Sequence, residues 1–151
     1  VKEYPLHMVS PHPTYRIHSQ LDNTWITAMY KIKGREPIRI NPKDAKKYGV
    51  TNGDLVEVYN ARGKVLAGAV VTEDIRPGVV AIEEGAWYSA ENSGDSKSRC
   101  NSGHCNVLTS SRPSSQMAQA TTANTTLVAI KKAEGTIGAN QAYSMPKTKN
   151  I

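Results

Sequence analysis

NPKDAKKYGVTNGDLVEVYNARGKVLAGAVVTEDIRPGVVAIEEGAWY, the stretch from Asn41 to Tyr88, sets a capped helix, a hairpin and a tight turn in immediate succession. Asn41 is a good N-cap, Pro42 suits the first helical position, and Asp44 places negative charge in the first turn. Gly49 is expected to close this two-turn helix in the left-handed conformation. After the turn at Thr51-Asn52-Gly53-Asp54, the β-rich runs Leu55 to Tyr59 and Lys64 to Thr72 flank Asn60-Ala61-Arg62-Gly63. A four-residue link ending in Gly predicts a hairpin whose type I turn closes on a left-handed residue. Asp74-Ile-Arg-Pro-Gly78 predicts another turn, and Val79 to Ile82 another strand.

Upstream, Leu6 to Val9 and Pro37 to Ile40 read as strands, and Ser10-Pro-His-Pro13 forces turn or extended geometry between them. Residues 24 to 36 read as an irregular or partly helical connector. Downstream, a polar loop from Glu91 to Gly103 precedes ordered chain at Asn106 to Thr109, a short helix over Ser114 to Ala120, and a last strand over Thr125 to Ile130. These elements make one mainly β domain over residues 1–131, while 132–151, small, polar and without periodicity, are expected to be a disordered tail. Many short strands with Gly and Pro turns point to a small barrel.

The 151 residues are 38% hydrophobic and contain no Phe, so Val, Ile, Leu and Ala must build the core. A formal charge of +6 suits an anionic partner, but Lys131, Lys132, Lys147 and Lys149 lie beyond the last expected strand. The Lys and Arg residues are scattered and no aromatic-rich strand offers a stacking platform, which weighs against nucleic acid. The longest apolar run, Val65 to Val71, is too short to span a bilayer. Cys100, His104 and Cys105 lack the second ligand pair that a structural zinc needs. No nucleophile–base motif or acidic pair stands out, so neither a catalytic residue nor a metal ligand is assigned. The opening Val1 leads to the expectation of a fragment or a processed product.

Two polar clusters remain. His12, Arg16, His18, Ser19 and Gln20 crowd donors onto one loop. If that loop is extended, Arg16, His18 and Gln20 share a face, suited to a pyrophosphate or a heterocycle edge. A solvated surface loop fits these residues equally well. Asn106, Ser115, Gln116 and Gln119 offer amides that both donate and accept, although a capped, exposed helix explains them too. Trp87 and Tyr88 are expected to pack rather than to bind.

Read in order, the clusters and the central stretch form a pattern. Ala45, Gly49, Asn52, Asp54, Val56, Val58, Asn60, Gly63, Ala69, Val71 and Thr72 fall at spacings that resemble the C-terminal, molybdopterin-dinucleotide-binding domain of the dimethyl sulfoxide reductase family. Ser10 to Gln20 looks like the segment that opens that domain, and Asn106 to Thr109 with Ser115 to Ala120 looks like its end. The resemblance covers about residues 6 to 131, with Val50 departing from the usual Ile. The Trp87-Tyr88 ending and Ala118-Gln119-Ala120 look most like the trimethylamine N-oxide reductase branch, beside biotin and dimethyl sulfoxide reductases.

The resemblance implies a six-stranded double-psi β-barrel with a few short helices. It also implies a bis(molybdopterin guanine dinucleotide) molybdenum cofactor shared with upstream domains of the same polypeptide. His12, Arg16, His18, Ser19 and Gln20 would contact one dinucleotide or its pterin, and Asn106, Gln119 and, less directly, Ser115 would approach the pterin. By the same implication the complete enzyme reduces an S- or N-oxide in the periplasm, reached by a twin-arginine signal, with a c-type cytochrome as donor, and the domain alone is inactive. The alternatives are a free-standing small subunit of a formate or formylmethanofuran dehydrogenase, or a basic barrel that binds nucleic acid or a protein.

Overall fold

A computed structural model describes residues 2–145. Six strands close a barrel: β1 (Leu6–Val9), β2 (Pro37–Ile40), β3 (Leu55–Tyr59), β4 (Lys64–Val71), β5 (Val79–Ile82) and β6 (Thr126–Lys132). Their order around the barrel is β1-β5-β2-β4-β3-β6. β1 runs parallel to β5 and β2 parallel to β4, while the remaining pairings are antiparallel. The two parallel pairs give the interlocked, double-psi form of barrel.

The period of two along each strand decides which side chains enter the core. Leu6 and Met8, Ile38 and Ile40, Val56 and Val58, Val65, Ala67 and Ala69, Val80 and Ile82, and Val128 and Ile130 all point inward and are buried. Between β2 and β3, helix α2 (Pro42–Tyr48) starts where expected: the Asn41 side chain accepts from the Lys43 N–H at 3.0 Å. Gly49 ends it at φ 64°. A shorter helix α1 (Trp25–Tyr30), capped by Thr24, lies within the connector between β1 and β2.

Two local expectations are corrected. The β3–β4 hairpin forms, with Asn60 N–H bonded to Gly63 O at 3.1 Å, but Gly63 is not among the left-handed glycines. Its requirement is space, because an added Cβ would stand 2.6 Å from Cγ1 of Val107. Ser114 to Ala120 is not a helix; it is an exposed bend closed by Ser114 N–H to Ala120 O at 2.8 Å. Ser115 turns its hydroxyl onto the Ala118 N–H at 2.8 Å, the local side-chain bond by which Ser competes with helix formation.

Residues 133–145, expected as a disordered tail, carry specific contacts. Ala133 donates to Leu55 O at 2.8 Å, Arg35 donates to Gly138 O, and Asn140 donates to Gly34 O at 2.9 Å. The rest of that tail lies outside the described residues. No helix among the described residues is long and apolar enough to cross a membrane.

Candidate functional site

The chain between β1 and β2 leaves the barrel as an arc of residues 10–36, and the segment after β5, residues 83–88, folds against it. What joins them is a group of buried charges. Arg16 sets two parallel bonds on Glu36, at 3.2 and 3.1 Å, and its guanidinium stands 3.5 Å from Asp22. Lys31 bonds Asp22 at 2.7 Å and lies 3.9 Å from Glu36. Tyr143, from the C-terminal segment, donates to Asp22 at 2.7 Å, and the Trp87 N–H adds a bond at 2.9 Å. Two cations and two carboxylates thus balance in the interior, where an unpaired charge would be costly.

The environments of these groups differ. Burial pushes the Glu36 carboxyl up to about 7, against the lowering pull of Arg16 and Lys31. Burial alone would also raise Asp22, but hydrogen bonds from Lys31, the Trp87 N–H and Tyr143 prevail and hold it below its ordinary value. The Tyr143 hydroxyl is pushed well up, first by burial and then by its bond to Asp22.

Arg16 also sets the shape of the loop. Its Nε donates to His18 O at 2.9 Å, and its Nη2 donates to Glu84 O at 2.5 Å. Residues 17–20 therefore form a tight turn, with Gln20 N–H on Ile17 O at 2.8 Å and His18 at φ 50°, so the extended geometry that would put Arg16, His18 and Gln20 on one face is not adopted. A left-handed His is strained, and such conformations persist where surrounding contacts hold them. Gly85 supplies one of those contacts: an added Cβ would stand 2.0 Å from His18 O. Trp87 supplies another, its indole donating to Ser19 O at 2.7 Å. Its ring lies 5.7 Å from that of Tyr143, in keeping with a packing role, whereas Tyr88 is half exposed.

The turn presents His18, Ser19 and Gln20 at the surface with His12 beside them. His12 and His18 both use Nδ1 on the same Glu84 oxygen, at 2.7 and 2.5 Å. Burial would raise the Glu84 carboxyl, but bonds from the two histidines hold it below its ordinary value. These three side chains are also the one group among the described residues with ligand atoms close enough to hold a metal ion. Arg16 stands apart from the other four loop residues: its guanidinium is fully buried and engaged with protein partners, which makes it the support of the loop.

Asn106 lies in a separate 3-10 turn, Cys105–Val107, set against the start of the arc. Its neighbour Cys105 meets the Ser10 hydroxyl at 3.0 Å, and Nδ1 of His104 meets Ala86 O at 2.5 Å. Ser115 and Gln119 sit on the separate exposed bend, where the Gln119 amide donates to Gln116 O at 3.1 Å. Among the described residues no hydrogen bond joins that bend to residues 12–20. Both cysteines are free and buried, and burial pushes the Cys105 thiol up.

Glu36, Asp22, Lys31 and Glu84 escaped the sequence reading. Charged residues in a polar connector look solvated, and only the Arg16 and Glu84 positions lay within segments already singled out.

Comparison with known proteins places this geometry. The family model described as "Molydopterin dinucleotide binding domain" matches residues 6–127. Trimethylamine-N-oxide reductase 1 of Escherichia coli (strain K12) is 50% identical over 137 residues, covering 90% of this chain and 16% of the relative. Trimethylamine-N-oxide reductase of Haemophilus influenzae is 45% identical over 147 residues, covering 97% of this chain and 18% of the relative. The chain thus spans less than a fifth of the length of these relatives. Acetylene hydratase from Pelobacter acetylenicus superposes with a TM-score of 0.67 at 16% identity, over 87% of this chain and 19% of that one, a likeness of fold. Neither the small-subunit nor the nucleic-acid alternative gains support from these comparisons. From the match across most of its length, the chain belongs to the molydopterin dinucleotide binding domain family.

Proposed function

We propose that the chain is the cofactor-holding domain of a molybdenum oxidoreductase of the trimethylamine N-oxide reductase type, and that the complete protein reduces an S- or N-oxide. The reading rests on relatives of that name and on the family match. The observation that carries the site is the turn at residues 17–20. A strained backbone, held from behind by Arg16 and from the side by Gly85 and Trp87, leaves the Ser19 and Gln20 side chains without protein partners among the described residues. Unspent donors on a fixed backbone suit a ligand rich in phosphate and pterin edges.

The donor set therefore fits a molybdopterin guanine dinucleotide, which when bound supplies the redox and oxygen-transfer chemistry of such enzymes. In this reading His12, His18, Ser19 and Gln20 bind it directly, Asn106 from the adjoining segment contributes its amide, and Gln119 with Ser115 reaches it from the exposed bend. Arg16 orients the loop without touching the ligand. In this reading the domain alone is inactive, and the remaining catalytic domains lie elsewhere in the polypeptide. A periplasmic location and a c-type cytochrome donor for the complete enzyme follow from the same resemblance.

Titration with guanosine diphosphate, followed by amide chemical shifts, tests this reading. The expected result is saturable change at residues 12–20 and 106–119, with none of comparable size from a random oligonucleotide. His18→Ala and Gln20→Ala should weaken the response while leaving the thermal midpoint in place. Changes confined to scattered Lys side chains would sink the proposal.

A further inference from the structure

The two histidines of the candidate site are not independent surface side chains. Their rings lie 4.8 Å apart at 89°, and each turns Nδ1 toward one oxygen of Glu84. The backbones that carry the three groups are tied together as well. Glu84 N–H donates to Pro11 O at 3.1 Å, which fixes Glu84 against the residue before His12. Arg16 bridges the carbonyls of His18 and Glu84, and Gly85 seats the following peptide directly on His18 O. The carboxylate is consequently delivered between the two rings by backbone contacts, before any side-chain attraction acts.

An imidazole that donates from Nδ1 to a carboxylate has its tautomer and its ring plane fixed by that bond. Its Nε2 is then the only ring atom left for a ligand. Among the described residues neither Nε2, on His12 or on His18, has a hydrogen-bond partner. Glu84 keeps the ionised form that this arrangement requires, since the two histidine bonds outweigh the effect of its partial burial.

We infer that Glu84 is the positioning residue of the dinucleotide site, holding His12 and His18 by Nδ1 so that both Nε2 atoms serve the ligand. This rests on the function proposed above, and it adds a residue that the loop motif does not contain. Fixing both rings in advance removes rotamer freedom that a ligand would otherwise have to restrain.

Long-range proton–nitrogen spectra of the imidazoles in the 151-residue chain test it, for the wild type and for Glu84→Gln, each also titrated with guanosine diphosphate. Glu84→Gln should change the ring-nitrogen pattern of both histidines and weaken guanosine diphosphate by on the order of ten-fold, as loss of a carboxylate behind an imidazole does elsewhere. The thermal midpoint should hold, because the backbone bonds of Glu84 remain; Glu84→Ala provides a second variant if the amide finds new partners. Unchanged ring patterns in both variants, with ligand binding intact, would overturn the role of Glu84 and leave the dinucleotide reading standing. Changed ring patterns with no nucleotide binding by the wild type would overturn that reading and leave the ring positioning in place. Saturable binding of Zn2+ that shifts both Nδ1 signals and is lost in Glu84→Gln would mark a metal site, and would overturn the inference.

Discussion

The barrel and the arc that leaves it are held by opposite means. Around the barrel, inward side chains from all six strands are apolar, and each packs against several others. In the arc, Arg16, Asp22, Lys31 and Glu36 are buried in place of a hydrophobic core. Dispersion and the hydrophobic effect are shared over many contacts, so a barrel position can be trimmed and its neighbours partly relax. A charge cluster has no such reserve, because removing one member leaves its partner buried and unpaired. The candidate site therefore rests on the less forgiving half of the molecule.

Glu36→Ala breaks this contrast most directly. It should destabilise the chain by about 3–5 kcal/mol in urea unfolding, because Arg16 loses its paired acceptor. Ile38→Ala, the matching change in β2, should cost about 2–5 kcal/mol by leaving a cavity. The difference should be in kind: Glu36→Ala should also shift the amides of residues 16–20 and 84–87, whereas Ile38→Ala should shift those of the strands. A Glu36→Ala variant whose loop spectrum matches the wild type would remove the distinction.

The pH response sharpens it. Glu36 titrates near 7 when folded, against an unperturbed carboxyl value of 4.5, so the folded state holds its proton more tightly. Stability conferred by this group is fully present below about 4.5, declines as pH rises toward about 7, and is level above. The decline should be at most about 3 kcal/mol and should vanish in Glu36→Gln, as read by unfolding midpoints across that window.

A smaller effect is expected at the edge of the cluster. Tyr143→Phe removes the hydroxyl that donates to Asp22, and should cost about 1–3 kcal/mol. It should also hasten proteolysis within residues 133–145 while sparing the barrel. Equal protection in both forms would mean that the C-terminal segment is held by its other bonds.

Legibility followed the range of the interactions. The Asn41 cap, the left-handed Gly49, the β3–β4 hairpin and the strands β1, β2 and β5 were readable because each depends on neighbours in the chain. The reading faltered where a distant atom decides. Gly63 is needed for the approach of Val107, not for its own backbone angle, and Gly85 faces the carbonyl of His18. The turn at 17–20, rather than the extended option, forms because Arg16 holds the His18 carbonyl. At Ser114 to Ala120, Ser hydroxyls captured the backbone and no helix formed. The motif residues His12, His18, Ser19 and Gln20 were legible as a cluster, but the Glu84 that joins the two histidines lies 72 and 66 residues away from them.

By itself the sequence determined which strands form, where the hairpin turns, and that a dinucleotide-binding pattern runs through the chain, since strand propensity, caps and motif spacing are local properties. Only the tertiary structure decided that Arg16 stands behind the loop, that Glu84 gathers two histidines, and that Tyr143 reaches Asp22. Pairing between charges depends on distance in space and on the water excluded around them, and neither quantity is written along the chain.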